Sequence, residues 1–276
     1  MSAIDVDGRR IAYDDSGGDG MPVVLLHGFP LDRTVWDDVM HAFAGARTIR
    51  VDLRGCGESE PSEGPALMES LAGDVAGLLD ALRVERAAFA GHSIGGYVAL
   101  AFFRMYAERV AGLALVASHV SGDASRYPSG DPAQRELAAG RDTLADQLED
   151  SRTMDAAVAS YLPKYFAPRV YAERSDLVER ARAMMLRQNA AGCAQLVRGM
   201  KERLDSHDLL PDLAVPALIV AGVEDVYLKP DTLRATATAI RDAEFVALDG
   251  VGHLPMWEAP EATAGALTRF AERAAG

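Results

Sequence analysis

Apolar positions in the first half of the chain fall into two kinds of run, and their alternation sets the expected architecture. Ile4 to Val6 and Arg10 to Asp14 flank Asp7-Gly8, the signature of an antiparallel hairpin. Val23-Val24-Leu25-Leu26 is an unbroken aliphatic run, as expected of a strand covered on both faces. Thr48 to Asp52, Ala87 to Ala90 and Gly112 to Ala117 read as further strands. Between them Leu67, Leu71, Val75, Leu78, Leu79 and Leu82 recur at spacings of three and four, which predicts an amphipathic helix. A second helical pattern, rich in small residues, runs from Ile94 to Tyr106. Strands alternating with helices imply right-handed crossovers and a mostly parallel sheet.

The pattern changes near His119. Ser121 to Pro132 is rich in Gly, Ser, Pro and Asp and reads as a loop. Gln134 to Asp150, Thr153 to Leu162 and Arg174 to Glu202 are then helical in pattern, with no strand among them. The β signal returns at Pro216 to Ala221 and Glu244 to Leu248, and a C-terminal helix begins at Pro260. The expected organisation is an α/β core, residues 1–118 and 204–276, interrupted by a helical insertion over residues 119–203.

Composition narrows the partners. The 276 residues are 49% hydrophobic and 25% charged, ordinary for a globular chain that can bury a sizeable core. A net charge of −13 argues against nucleic acid and anionic membranes, which need a basic face. The two cysteines, Cys56 and Cys193, make neither a disulfide framework nor a metal cluster, which suits a reducing compartment. No basic segment followed by an apolar one opens the chain, and no apolar segment approaches the ~20 residues of a membrane span. The expectation is a soluble cytoplasmic protein whose oligomeric state, homo-oligomer included, is left open.

The segment Gly91-His92-Ser93-Ile94-Gly95-Gly96 carries the chemistry. A Gly-x-Ser-x-Gly sequence between a strand and a helix describes a nucleophile elbow, a turn tight enough to expose the serine Oγ. The serine needs a general base, usually a histidine oriented by a carboxylate. Six histidines compete. His92 lies inside the elbow, His41 in an expected surface helix, His207 in a polar loop, and His27 at the end of a buried strand. His119 follows a strand, but nothing in the sequence pins it to a pocket. His253 sits in Gly250-Val251-Gly252-His253 after the last strand, on a loop at the carboxyl edge of the sheet, where a base can reach the elbow. Asp225 occupies the corresponding loop after the preceding strand, with Glu224 as the rival acid. Ile94, after the nucleophile, and Phe29, in the loop His27-Gly28-Phe29-Pro30, are the candidate backbone N–H donors to an oxyanion.

These blocks, with Asp52-Leu53-Arg54-Gly55-Cys56-Gly57-Glu58-Ser59 and Glu258-Ala259-Pro260, resemble in order those of the α/β-hydrolase superfamily. The closest resemblance is to its cap-bearing esterase, enol-lactonase and cofactor-free haloperoxidase or perhydrolase branch. The resemblance spans nearly the whole chain. It implies a mostly parallel eight-stranded sheet flanked by helices, with residues 119–203 as a helical cap, and no metal or organic cofactor. It implies the chain order Ser93, Asp225, His253 for a catalytic triad, a structural role for Asp52 to Ser59, and a helix start at Glu258 to Pro260.

The expected activity is hydrolysis of a small-molecule carboxylic ester or lactone through an acyl-enzyme on Ser93. Perhydrolysis and C–C bond hydrolysis use the same residues, and a ligand receptor on a hydrolase fold is the non-enzymatic alternative. Serine at position 93 weighs against the related enzymes that carry aspartate there. Tyr161, Tyr165, Phe166, Tyr171, Met184 and Met185 in the insertion are expected mainly in core packing, with some of them facing the site.

Overall fold

Every expected strand forms, and alternate residues of the central ones feed two separate cores. The computed structural model describes residues 2–122 and 132–276. Its strands are β1 (Ser2–Val6), β2 (Arg9–Asp15), β3 (Pro22–Leu26), β4 (Arg47–Val51), β5 (Ala87–His92), β6 (Val110–Val116), β7 (Ala217–Gly222) and β8 (Ala243–Leu248). They make one eight-stranded sheet in the order β1-β2-β4-β3-β5-β6-β7-β8. Only the β1–β2 and β2–β4 pairs are antiparallel. In β3, Val24 and Leu26 belong to one core and Val23 and Leu25 to the other. In β5 the same split separates Phe89 from Ala88 and Ala90. A two-residue period with both faces covered is why these strands read as unbroken apolar runs.

Helices α1 (Met68–Ala81) and α2 (Ile94–Met105) pack into one core. Between β6 and β7 lie α3 (Pro132–Ser151), α4 (Asp155–Tyr161), α5 (Pro168–Glu173), α6 (Ser175–Leu186) and α7 (Ala190–Lys201). The chain closes with α8 (Pro230–Ala239), α9 (Pro255–Glu258) and α10 (Pro260–Ala275). The other core is closed by α10 and a 3-10 helix, Arg33–Phe43, which carries the exposed His41. The expected loop from Ser121 to Pro132 lies almost wholly outside the described residues. No described helix is long and apolar enough to cross a membrane.

The helical stretch expected from Arg174 to Glu202 is two helices. Asn189 divides it: its side chain accepts from Gly192 N at 2.8 Å and caps α7, so the chain leaves the helix at Arg187 and restarts. The short α5, opened by Pro168, is an element the hydrophobic pattern does not announce.

The order of the sheet decides where the site is. Strand β3 is hydrogen-bonded to β4 on one side and β5 on the other, so the chain winds away in opposite directions from this point. The loops after β3, β5, β6, β7 and β8 all leave the carboxyl edge of the parallel strands, beside that switch point.

Candidate active site

Ser93 stands at the turn from β5 into α2 with φ 51° and ψ −117°, a backbone conformation that costs about 1–3 kcal/mol for a residue with a Cβ. Its neighbours hold it there. Ser93 N donates to Val116 O at 3.0 Å, and Ser118 Oγ donates to Ser93 O at 2.7 Å. The flanking glycines are steric necessities. A Cβ on Gly91 would sit 2.3 Å from the Gly95 carbonyl carbon, and one on Gly95 would sit 2.2 Å from Leu26 O.

His253 and Asp225 meet from adjacent loops. His253 Nδ1 lies 2.7 Å from Asp225 Oδ2, so Nδ1–H donates and Nε2 is left as the acceptor. Asp225 is itself fixed, its Oδ1 accepting from Tyr227 N at 2.8 Å and Leu228 N at 3.3 Å. Both residues are buried, His253 at 5% exposure and Asp225 at 7%. The rival acid, Glu224, is exposed and takes no part in this pair.

Glu258 holds the histidine loop in place. Its Oε1 accepts from Gly252 N at 3.0 Å and Leu254 N at 3.1 Å, the residues on either side of His253. Its Oε2 accepts from Ala167 N at 2.8 Å, tying that loop to the segment before α5. Burial raises the carboxyl's pKa, against the lowering effect of these three donors. A second tie comes from His92, whose Nε2–H donates to His253 O at 2.8 Å. Burial keeps the His92 imidazole neutral, with its pKa well below the usual value.

His27 has a different task. Leu53 N donates to its Nε2 at 2.9 Å, and its Nδ1–H donates to Gly28 O at 2.8 Å. The ring thereby braces the loop that carries Phe29. The Phe29–Pro30 peptide is cis, and Phe29 O accepts from the Tyr165 hydroxyl. Ile94, as the first residue of α2, has an N–H with no acceptor within its own helix. His41 and His207 stay at the surface, beside Glu261 and Asp205 respectively.

Ser93, His253 and Phe29 line one cavity of about 280 Å³. Its other walls come from Tyr97 on α2, His119 after β6, Arg141 on α3, Tyr161, Tyr165, Met200 on α7, and Val226 to Leu228. Tyr161 and Tyr165 thus face the site. Phe166, Met184 and Met185 are buried in core packing, while Tyr171 is 37% exposed and turns its hydroxyl toward Tyr165 N.

Several of these wall residues carry no sequence signal for the site. Tyr97 could have been inferred, because it lies one helical turn after Ser93 on the same face. His119 and Arg141 could not, and neither could the role of Glu258 under the histidine loop. The Asp52 to Ser59 turn is structural, as the resemblance implies: buried Asp52 accepts from Arg33 N at 2.8 Å and Glu58 N at 2.9 Å. Cys56 lies buried against Cys193, Sγ to Sγ 4.0 Å, and that contact and burial push its thiol pKa well up.

Comparison with known proteins bears on what this arrangement is for. The family model for the alpha/beta hydrolase fold matches residues 21–260. An esterase from Thermogutta terrifontis, solved with malate bound, is 33% identical, covers both chains fully and superposes with a TM-score of 0.90. The enol-lactonase of Burkholderia xenovorans LB400 is 27% identical over 98% of this chain and 99% of its own, with a TM-score of 0.86. The dihydrolipoyllysine-residue acetyltransferase component of the acetoin cleaving system of Pseudomonas putida is 33% identical over 261 residues, 93% of this chain. The chain spans 65% of that relative's length.

Proposed function

The chain belongs to the α/β-hydrolase fold family, and within it we propose a serine hydrolase that cleaves a carboxylic ester or lactone through an acyl-enzyme on Ser93. The observation that carries this reading is the 2.7 Å contact between His253 and Asp225, in a cavity whose wall also contains the strained Ser93. The similarity to an esterase and an enol-lactonase supports it.

In the proposed reaction Ser93 Oγ adds to the substrate carbonyl carbon as its proton passes to His253 Nε2. Asp225 keeps Nδ1 protonated and stabilises the imidazolium that results. The oxyanion is held by the Phe29 and Ile94 N–H groups. As the tetrahedral species collapses, the bond to the leaving oxygen breaks and that oxygen takes the proton from His253. Water then adds to the acyl carbon, losing its proton to His253, and the acid leaves as Ser93 regains a proton. The segment between β6 and β7, which contributes Tyr161, Tyr165, Arg141 and Met200, acts as the cap over this chemistry.

Turnover of p-nitrophenyl esters of graded acyl length and of several lactones tests the reading. Ser93→Ala should abolish turnover while leaving the melting curve cooperative. Retained activity in that variant removes Ser93 from the mechanism.

A further inference from the structure

The cavity around Ser93 has two unlike ends. Phe29, Tyr161, Tyr165 and Tyr227 pack ring against ring in one part of its wall, whereas His119 packs edge-on against Tyr97 in another and feels the charge of Arg141. Arg203 stands behind that second side. It borders a small space of about 10 Å³ whose walls include the same Tyr97 and His119 that line the main cavity.

Arg203 is only 6% exposed. Its Nη2 donates to Ser121 O at 2.6 Å and approaches His119 Nε2 at 3.5 Å, and its guanidinium carbon lies 3.7 Å from the centre of the Tyr97 ring. Its Nε and Nη1 have no hydrogen-bond partner. Among the described residues no carboxylate forms an ion pair with it, although Glu69 borders the same small space. A guanidinium this deeply buried without a counter-charge is unfavourable, and contact with an aromatic face offsets only part of that. Arg203 is therefore a buried cation behind the Tyr97 and His119 wall of the cavity, and no described carboxylate pairs with it.

We propose that this end of the cavity binds a carboxylate carried by the substrate, with Arg141 beside it in the cavity wall, His119 donating a hydrogen bond and Arg203 adding a second positive charge from behind. The contact from Arg203 assigns His119 Nε2 as acceptor, which leaves Nδ1–H as the donor. Burial and the charges of Arg203 and Arg141 hold the His119 pKa down to about 3, so the ring is a neutral donor. Tyr97, four residues after Ser93 on α2, sets the separation at roughly 6 Å along the helix. That suits a short chain of carbons between the ester carbonyl and the free acid. The substrate class is a hemiester of a dicarboxylic acid, or a lactone bearing a free carboxylate. This inference rests on the assignment of the cavity around Ser93 as the substrate site.

Two measurements separate it from the hydrolase reading. Calorimetric titration of the protein with glutarate and with its neutral analogue glutaramide reports the carboxylate site without any chemistry. Glutarate should bind at least tenfold more tightly, and Arg203→Met and Arg141→Gln should each weaken it tenfold or more without changing the glutaramide result. In turnover, the ratio of kcat/KM for mono-p-nitrophenyl glutarate over p-nitrophenyl pentanoate should fall at least tenfold in both variants, chiefly through KM. Equal binding of glutarate and glutaramide, or glutarate affinity that survives both substitutions in folded protein, overturns the proposal. Selective glutarate binding with no ester turned over would uphold the carboxylate site and overturn the ester reading instead.

Discussion

Asp225 divides its carboxylate between two tasks: Oδ2 lies 2.7 Å from His253 Nδ1, while Oδ1 accepts from the backbone of its own loop at Tyr227 and Leu228. The loop contacts fix the direction of the acid, so the imidazole meets an oxygen that is already positioned. An amide at this position keeps the shape but turns an N–H toward His253 or forces the opposite tautomer. Asp225→Asn should therefore lower kcat on the order of 10³–10⁴-fold with little change in melting temperature. Glu224→Gln, on the exposed neighbour, should change kcat less than twofold, and steady-state kinetics on one ester decides both.

What could be read from the sequence follows from what is sterically dictated. Val23 to Leu26 was legible as a strand because two cores cover it and leave no room for a polar residue. The elbow was legible because Gly91 and Gly95 admit no side chain. By contrast, Arg174 to Glu202 carries helical periodicity through a break that depends on one side-chain cap at Asn189. Glu258 was legible only as a helix start, since its three backbone partners include Ala167, far away in the chain. His119 and Arg203 were opaque because periodicity tells covered from uncovered, and cannot tell a face covered by core from one covering a cavity.

The backbone of Ser93 sets up a trade between stability and function. Replacing the serine by glycine removes the Cβ from a φ of 51°, relieving about 1–3 kcal/mol of strain. The freer unfolded chain returns about 0.5–1 kcal/mol of that. Ser93→Gly should be inactive yet melt about 2–4 °C above Ser93→Ala, which keeps the Cβ. Calorimetry on the two inactive variants makes the comparison, and a Ser93→Gly protein that melts below Ser93→Ala would mean the turn is not strained.

Glu258 should behave as a positioning residue for His253. Glu258→Ala strands three backbone donors, those of Gly252, Leu254 and Ala167, each costing about 1–3 kcal/mol if buried. Both stability and kcat should fall. Glu258→Gln retains acceptor capacity and should recover most of the stability, with kcat intermediate between the two. Recovery of stability without any recovery of kcat would show that the carboxylate does more than hold the loop.

The cysteines should be silent in the native protein. Cys56 and Cys193 are both buried, and the Cys56 thiol pKa is raised by its contact with Cys193 and by burial. A colorimetric disulfide reagent at pH 8 should find less than a tenth of an equivalent before unfolding and two equivalents in guanidinium. Rapid native labelling would mean that α7 separates readily from the Asp52 to Ser59 turn.

Acid should destabilise the protein in part through His119. Its pKa is depressed to about 3 by burial first and by the charges of Arg203 and Arg141 next, whereas in the unfolded chain it returns to about 6.5. Above pH 6.5 both states are neutral and this contribution is fully present. As pH falls from 6.5 toward 3 the unfolded chain binds a proton that the native state refuses, and the contribution is lost at up to about 1.4 kcal/mol per pH unit. His27 and His92 are also held neutral by burial, so the wild type should lose stability faster than one such site allows. His119→Gln should remove one part of that slope, and urea melts of both proteins at pH 6.5 and 5.0 isolate it. Parallel slopes for the two proteins would place His119 in contact with solvent, outside the wall shared with Tyr97 and Arg203.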